Sequence, residues 1–391
     1  MMKCALFFLA AVACAPSVTA RYTNCSQYES ESGCKGSSLG CRWENGHCSA
    51  AGPAPGPSHG GLSCLDNNGK EVDWWVAFKA PGGFSFAYRD ANSDGSSSLE
   101  ILSGVTLDEK SSCFGATVQQ IFEDKESTAY ASWNDECPDD AAQASRAKRR
   151  LGVKAAHSKG VLAFDGKNGF WVVHSVPKMV NMDLDSFQWT GDDTYGQSFL
   201  CMSLNTDNVE VASHQIQALT PGMCYSNMPS SLAEDVPTMA SLINGEDVDT
   251  LTSMKKIQTT GNTEFTSFAK SRKWGEDLYV DFVEQEFRDS FFWETWRRSP
   301  EEDSNCTGTY TSLNVENVDF GGGNTWSYTR DHSKYGVSQD AGTPITCIGG
   351  INRMTSQRQR GGGTVCLEDK PLHAAVSAVI SDVEKCPSTG N

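Results

Sequence analysis

The sequence predicts a mixed α/β fold, and three patterns indicate this class. VDWWVAFKAP, which starts at Val72, has the aromatic and β-branched composition of a strand. The segments GVLAF and FWVVHSV flank the turn residues DGKNG, which predicts a β-hairpin. The stretch from about 230 to 300, including SFAKSRKWGEDLYVDFVEQEF, has amphipathic helical spacing. A chain of 391 residues is long enough to bury a sizeable core around such elements.

The N-terminus has the pattern of a secretory signal peptide. Lys3 precedes an apolar run from Cys4 to Ala15, and Val18-Thr-Ala20 provides a small-residue cleavage site. We therefore assign residues 1–20 to a removed signal peptide. The apolar run is too short to span a bilayer, and no later window is long enough, so we expect no stable membrane insertion.

The next segments predict a small module and a linker before the main domain. Residues 21–49 contain four closely spaced cysteines, which predicts a disulfide-rich module. Residues 50–61, AAGPAPGPSHGG, lack a hydrophobic period and predict a linker. The main domain is expected to occupy residues 62–391.

The cysteine content indicates an oxidising compartment. Of fifteen cysteines, Cys4 and Cys14 lie in the predicted signal peptide, which leaves thirteen for the mature chain. This density predicts disulfide bonds and the secretory pathway, with the lysosome or the extracellular space as destination. Sequons at Asn24 and Asn305 agree with that route. The net charge of −17 argues against binding a polyanion at neutral pH, because such binding depends on neutralising phosphates.

A short internal repeat is the main functional signal. His157-Ser-Lys159-Gly-Val161 recurs as His332-Ser-Lys334-Tyr-Gly-Val337. Chance predicts about 0.3 His-x-Lys matches in a chain of this composition, so a single match would carry little weight. Either motif alone would be interpreted as a basic surface turn. Two motifs with the same neighbours favour one shared site.

Counting along the predicted hairpin suggests a further residue at this site. If Phe164 pairs with Phe170, then His174 lies opposite Gly160 and within reach of Lys159. The alternative is that His174 is a core histidine at the end of a strand.

The second motif allows a similar arrangement. Residues 335–337 can pair with residues 345–348, which would leave Asn352 beside Lys334. Asn352 would then occupy the place that His174 has in the first half.

These motifs and their flanking segments resemble the deoxyribonuclease II family over most of the chain. Similar segments here are VDWWVAFK, HSKGVLAFDGKNGFWVVHSVP, TYGQSFLC, SLNVENVDF, DHSKYGVS and INRMTSQRQRGGGTVC. The resemblance implies a phospholipase D-like fold of two pseudo-symmetric halves, about 62–225 and 226–391. Each half would contain a mixed β-sheet flanked by helices and would contribute one His-x-Lys motif. Phospholipase D has an aspartate five residues after the lysine, whereas Asp165 and Asp340 follow by six. Deoxyribonuclease II relatives also lack the standard aspartate, so this departure favours the resemblance to them.

The resemblance also implies three disulfides, Cys64–Cys201, Cys306–Cys386 and Cys347–Cys366. Independently of it, we expect Cys113 to pair with Cys137, which would leave Cys224 without a partner.

Two histidines and two lysines can cleave a phosphodiester without a metal or another cofactor. One neutral imidazole attacks phosphorus, and the other donates a proton to the leaving 5′ oxygen. We assign the nucleophile to His332 and the acid/base role to His157, although the order could be reversed. Lys159 and Lys334 would neutralise the phosphoryl oxygens. A histidine pKa near 6.5 would give the required mixture of protonation states in mild acid, which predicts an acid optimum.

A basic run before the first motif has two interpretations. Arg149, Arg150 and Lys154 could bind the phosphate backbone. The sequence RAKRR, residues 146–150, equally resembles a processing site for secretory proteases that cut after basic residues.

The sequence thus predicts an acid endonuclease whose partner is double-stranded DNA and whose oligomeric state, monomer or homodimer, stays open. A related fold acting on RNA or a phospholipid is a second possibility, because His and Lys recognise phosphate rather than base or sugar. An inactive DNA-binding or toxin-like protein is a third, and the presence of both complete motifs argues against it.

Overall fold

The computed structural model describes residues 41–44, 47–50, 60–95, 98–138, 155–298 and 300–386. The predicted signal peptide and most of the predicted module and linker lie outside these ranges, as do Arg149, Arg150 and Lys154. The chain divides into two compact units between positions 58 and 59. In the first unit, strand β1 (Cys41–Glu44) pairs antiparallel with β2 (His47–Ala50).

The second unit begins with a short antiparallel pair, β3 (Cys64–Leu65) and β4 (Glu71–Val72), followed by a seven-stranded sheet in which all pairs are antiparallel. The order across this first sheet is β11-β7-β8-β9-β10-β5-β6. Its strands are β5 (Trp74–Lys79), β6 (Phe86–Asp90), β7 (Ala129–Trp133), β8 (Gly160–Phe164), β9 (Asn168–His174), β10 (Gln197–Asn205) and β11 (Met223–Asn227).

The second sheet has nine strands in the order β12-β13-β19-β18-β17-β14-β15-β16, with β20 also paired to β15. It is mixed, because β14 and β15 run parallel. Its strands are β12 (Thr252–Gln258), β13 (Glu264–Lys270), β14 (Phe291–Thr295), β15 (Ser312–Asp319), β16 (Thr325–Ser327), β17 (Lys334–Ser338), β18 (Ile345–Gly349), β19 (Gly362–Glu368) and β20 (Ile380–Val383).

Few helices flank the sheets. Three of them begin at a residue whose side chain accepts a hydrogen bond from the first turn, the usual way to satisfy free amides there. The α-helices are α1 (Cys113–Glu123), α2 (Thr206–Leu219), α3 (Pro237–Asn244), α4 (Glu284–Phe287) and α5 (Lys370–Val379), and a π-helix covers Tyr279–Val283. No helix in the described ranges is long and apolar enough to cross a membrane.

The prediction of helix across residues 230–300 is largely wrong. Much of this stretch forms the hairpin of β12 and β13, and only α3, the π-helix and α4 are helical. β13 lies between two other strands, and Phe265 and Phe268 on it are buried. Aromatic and β-branched residues favour such a strand, and tertiary packing overrides the weak helical spacing.

The same order of elements occurs twice around the repeated motif. The first motif leads into β8, β9, β10 and then α2, while the second leads into β17, β18, β19 and then α5. The two sheets share a hydrophobic core, in which Phe78 contacts Tyr335 with ring centroids 5.1 Å apart. The mixed α/β class is confirmed, and the repeat in sequence corresponds to a repeat in structure.

A carboxylate also joins the two halves. Asp73, just before β5, accepts hydrogen bonds from the hydroxyls of Thr259 and Thr263, both at 2.6 Å, and from the amide of Gly261. These three donors belong to the turn between β12 and β13. Asp73 therefore ties the start of the first sheet to a hairpin of the second.

The predicted hairpin of β8 and β9 is present, but its register was wrong by one residue. Phe164 pairs with Gly169 rather than Phe170, and Gly160 pairs with Val173. The carboxylate of Asp165 accepts hydrogen bonds from two following amides, which makes the turn tighter than expected. His174 is therefore opposite Lys159, and its amide donates to the Lys159 carbonyl at 3.2 Å.

The described residues contain four disulfides. Three are the pairs that the family resemblance implies, Cys64–Cys201, Cys306–Cys386 and Cys347–Cys366. The expected pairing of Cys113 with Cys137 is wrong. Cys137 bonds to Cys224, and Cys113 is a free thiol buried in the core at the start of α1.

Candidate active site

Each His-x-Lys motif lies at the start of a strand beside a tryptophan from the neighbouring strand. Lys159 directly precedes β8, and Lys334 is the first residue of β17. A Cβ atom at Gly336 would overlap the ring of Trp293, so only glycine leaves room for this side chain. The first half repeats the arrangement with Gly160 and Trp133. The glycine that follows each motif is thus a packing requirement.

The two motifs are held by a reciprocal pair of hydrogen bonds. The amide of His157 donates to the carbonyl of Gly361 at 2.9 Å, just before β19 in the second sheet. The amide of His332 donates to the carbonyl of Gly196 at 2.8 Å, just before β10 in the first sheet. Each histidine is therefore anchored by the opposite half, and both motifs meet where the halves join.

The four motif side chains interact electrostatically with one another. Burial, together with Lys334 and Lys159, lowers the pKa of His332 to about 3. Burial, followed by Lys159, holds the pKa of His157 well below its usual value, and Lys334 contributes across the halves. Burial and then Lys159 lower the pKa of Lys334 to about 7. Both lysines thus act on both histidines.

Asp135, which follows β7, balances the positive charge in the first half. Its carboxylate accepts a hydrogen bond from Nζ of Lys159 and one from Arg360 at 2.9 Å, and it lies 3.9 Å from Nε2 of His157. Burial opposes its ionisation, but the positive charges of Lys159 and Arg360 hold its pKa below the usual range. No repeat or spacing in the sequence marks Asp135 or Arg360.

His157 has a defined ring orientation. Its Nδ1 lies 2.6 Å from Oε1 of Gln357, which implies that Nδ1 donates the proton of this hydrogen bond. Nε2 is then the ring nitrogen available for proton transfer, and it points toward Asp135. Gln357 is part of the INRMTSQRQRGGG segment, but sequence reasoning did not single it out.

His332 is held differently, by ring stacking. Its imidazole lies parallel to Tyr195, with centroids 3.9 Å apart and 7° between the planes, and 4.2 Å from Trp296 at 45°. Its Nε2 is buried, and the described residues offer it no hydrogen-bond partner. Sequence reasoning missed both aromatic residues, although Tyr195 belongs to the TYGQSFLC segment.

His174 and Asn352, the two predicted supporting residues, are buried. His174 is fully buried beside Phe114 and Phe199, and its Nδ1 accepts a hydrogen bond from the amide of Val176 at 3.2 Å. Burial, and to a lesser degree Lys159, lowers its pKa to about 3, so it is neutral. Asn352 is also buried, and its Oδ1 has no partner among the described residues.

Similarity to known proteins extends over most of the chain. The family model described as Deoxyribonuclease II matches residues 63–386. Plancitoxin-1 from Acanthaster planci is 34% identical over 342 residues, covering 83% of this chain and 92% of that protein. Deoxyribonuclease-2 from Caenorhabditis elegans is 31% identical, covering 82% and 93%, and Deoxyribonuclease-2-alpha from Rattus norvegicus is 30% identical, covering 83% and 95%.

Three disulfides of the pairing that the resemblance implies and a family match across most of the chain agree with one another. The chain belongs to the deoxyribonuclease II family.

Proposed function

We propose that the protein is an acid endonuclease that hydrolyses double-stranded DNA to 3′-phosphate ends, using both His-x-Lys motifs as a single site. The observation that supports this most is the reciprocal anchoring, in which the amide of each motif histidine donates to a carbonyl of the opposite half. The lysine of each motif also lowers the pKa of the histidine of the other motif. Two basic turns on separate surfaces would not interact in this way.

His332 is the better placed nucleophile. Its buried Nε2 has no competing partner among the described residues, and its low pKa keeps the lone pair free. That nitrogen forms a bond to phosphorus while the bond from phosphorus to the 5′ oxygen breaks, which gives a phosphohistidine. The reverse order, with His157 as nucleophile, would place a carboxylate beside the attacking atom.

His157 is suited to the proton transfers. Asp135 lies beside Nε2 and favours a proton there, so the departing 5′ oxygen takes its proton from this nitrogen. In the second step Nε2 accepts a proton from water as the water oxygen attacks phosphorus. The bond from phosphorus to nitrogen then breaks, His332 is released, and the product is a 3′-phosphate.

Lys159 and Lys334 supply the positive charge that the phosphoryl oxygens require. His174 and Asn352 would support them from beneath the site. Because these charges belong to side chains, we expect cleavage to continue in excess chelator.

The acid preference has a different origin from the one predicted. Both histidine pKa values lie far below 6.5, so both rings are neutral in the free enzyme even in mild acid. A bound phosphodiester brings negative charge, which raises the pKa of a neighbouring imidazole and allows His157 to take up a proton. Lys334, with a pKa of about 7, loses its charge above neutrality. Both effects favour activity below pH 7.

Backbone contacts would give little sequence preference, since phosphates carry no base information. The disulfides are typical of proteins that fold in the secretory pathway, and we propose the lysosome or the extracellular space as destination. Phosphate contacts from Arg149, Arg150 and Lys154 stay a prediction, as does the choice between monomer and homodimer.

Plasmid cleavage at pH 5 and pH 7.5 in excess chelator tests this function. We expect cutting at pH 5 that is lost in His332→Ala and His157→Ala, and retained in the control His214→Ala on helix α2. A rapid alkaline quench of wild type during turnover, which preserves the acid-labile bond from phosphorus to nitrogen, should trap the 3′ end of the cleaved strand on His332. Metal-dependent cutting, or full activity in both variants, would mean that the repeat is structural. Parallel assays on RNA and on phospholipid would reveal another phosphodiester substrate.

A further inference from the structure

We propose that Tyr195 and Trp296 are positioning residues that clamp the imidazole of His332 in a fixed orientation and exclude water from it. This inference rests on the proposed role of His332 as nucleophile. Tyr195 lies just before β10 and Trp296 just after β14, so the clamp uses one ring from each half.

The clamp is built by two ring contacts on the imidazole. Tyr195 stacks on one face with centroids 3.9 Å apart, and Trp296, tilted by 45°, packs against the imidazole at 4.2 Å. The Tyr195 and Trp296 rings also contact each other, with centroids 6.4 Å apart. Arg298 lies over the ring of Trp296, with its guanidinium carbon 4.8 Å from the ring centroid. The tryptophan therefore contacts both a cation and the histidine.

The contrast with His157 shows why a clamp is needed. His157 is oriented by a hydrogen bond from Nδ1 to Gln357 at 2.6 Å. Nε2 of His332 has no hydrogen-bond partner among the described residues, and the contacts with Tyr195 and Trp296 define the plane of the ring. A nucleophile must be aligned with the leaving oxygen, and a small displacement costs a large part of the rate.

The clamp also determines how readily His332 is protonated. The charged groups that act on this ring are Lys334, Lys159 and Arg298, which disfavour a proton, and Asp192, which favours one. Burial is nevertheless the largest influence, and the two aromatic rings contribute to it. Removing either ring would admit water and raise the pKa of His332 toward its ordinary value.

Four variants test the clamp, Tyr195→Phe, Tyr195→Ala, Trp296→Phe and Trp296→Ala. The first readout needs no DNA: the pKa of His332 is followed by NMR of its ring carbon-bound proton, assigned by its loss in His332→Ala. We expect the phenylalanine variants to titrate like wild type, and the alanine variants to titrate at least about one pH unit higher. Phe282→Ala, which removes another half-buried ring, is the matched control.

The second readout is kinetic. In the alanine variants we expect kcat to fall at least about tenfold with little change in KM, and the acid limb of the pH profile to move upward. In the phenylalanine variants, kcat and the acid limb of the pH profile should match those of wild type. An unchanged His332 pKa in both alanine variants, or phenylalanine variants as impaired as alanine, would overturn the clamp. If His332→Ala itself stays active, the proposed function fails, whereas the NMR result still reports on the clamp.

Discussion

A buried carboxyl group in the second half should contribute stability in acid that is lost toward neutral pH. Glu284 follows the π-helix, is fully buried, and accepts a hydrogen bond from Nε1 of Trp293 at 2.8 Å. Burial raises its pKa to about 7. The native state therefore binds this proton more tightly than the unfolded chain does, where the pKa is near 4.5.

The direction and size of the effect follow from this difference. The stabilisation is fully present below about pH 4.5 and is lost as the pH rises through about 7. At about 1.4 kcal/mol per pKa unit, the difference between the two pKa values of Glu284 corresponds to about 3 kcal/mol in the free energy of unfolding. A glutamine side chain at this position would keep the acceptor for Trp293 without an ionisable proton, so Glu284→Gln should remove this part of the pH dependence.

Denaturant unfolding at pH 4.5 and pH 8 measures the effect. We expect Glu284→Gln to match wild type within about 0.5 kcal/mol at pH 4.5 and to exceed it by about 3 kcal/mol at pH 8. Glu286→Gln, an exposed position on the same helix, is the control and should change neither value. Equal pH dependence in wild type and Glu284→Gln would refute the argument.

Three further changes test other parts of the structure. Asp73→Ala should lower the free energy of unfolding by about 2 kcal/mol, because three donors lose their acceptor. Denaturant unfolding measures this loss, with Asp185→Ala at an exposed position as the control. Equal free energies of unfolding for the two variants would contradict the prediction. Gly336→Ala should lower the free energy of unfolding by about 1–3 kcal/mol, because the added methyl group would overlap the ring of Trp293. An unchanged Tm would count against that contact. Arg298→Ala should reduce the salt dependence of DNA binding by about one phosphate contact, whereas Lys255→Ala on the outer strand β12 should not.

Local patterns were enough to predict the strands around the first motif. GVLAF and FWVVHSV are adjacent in the chain and separated by turn residues, so their pairing needs no information from elsewhere. Their register depends on the hydrogen bonds that Asp165 accepts in the turn. The sequence pattern does not distinguish two registers that differ by one residue. Residues 264–270 were assigned wrongly because the strand character of β13 comes from its place between β12 and β19.

The candidate site was predictable only where the sequence repeats itself. His157 and His332 stand out because the same residues follow both. Asp135, Tyr195 and Trp296 reach the site from distant segments through the sheet topology. No spacing relates them to the motifs, and only the folded chain brings them together.

Two disulfides have a consequence for the covalent connectivity of the chain. Cys64–Cys201 and Cys137–Cys224 each join a residue before position 138 to one after position 155. Hydrolysis of any peptide bond between those positions, including the RAKRR sequence, would leave two polypeptides that remain linked. Asp135 would then belong to one polypeptide and His157 to the other. Such a product would migrate as one species on a non-reducing gel and as two after reduction.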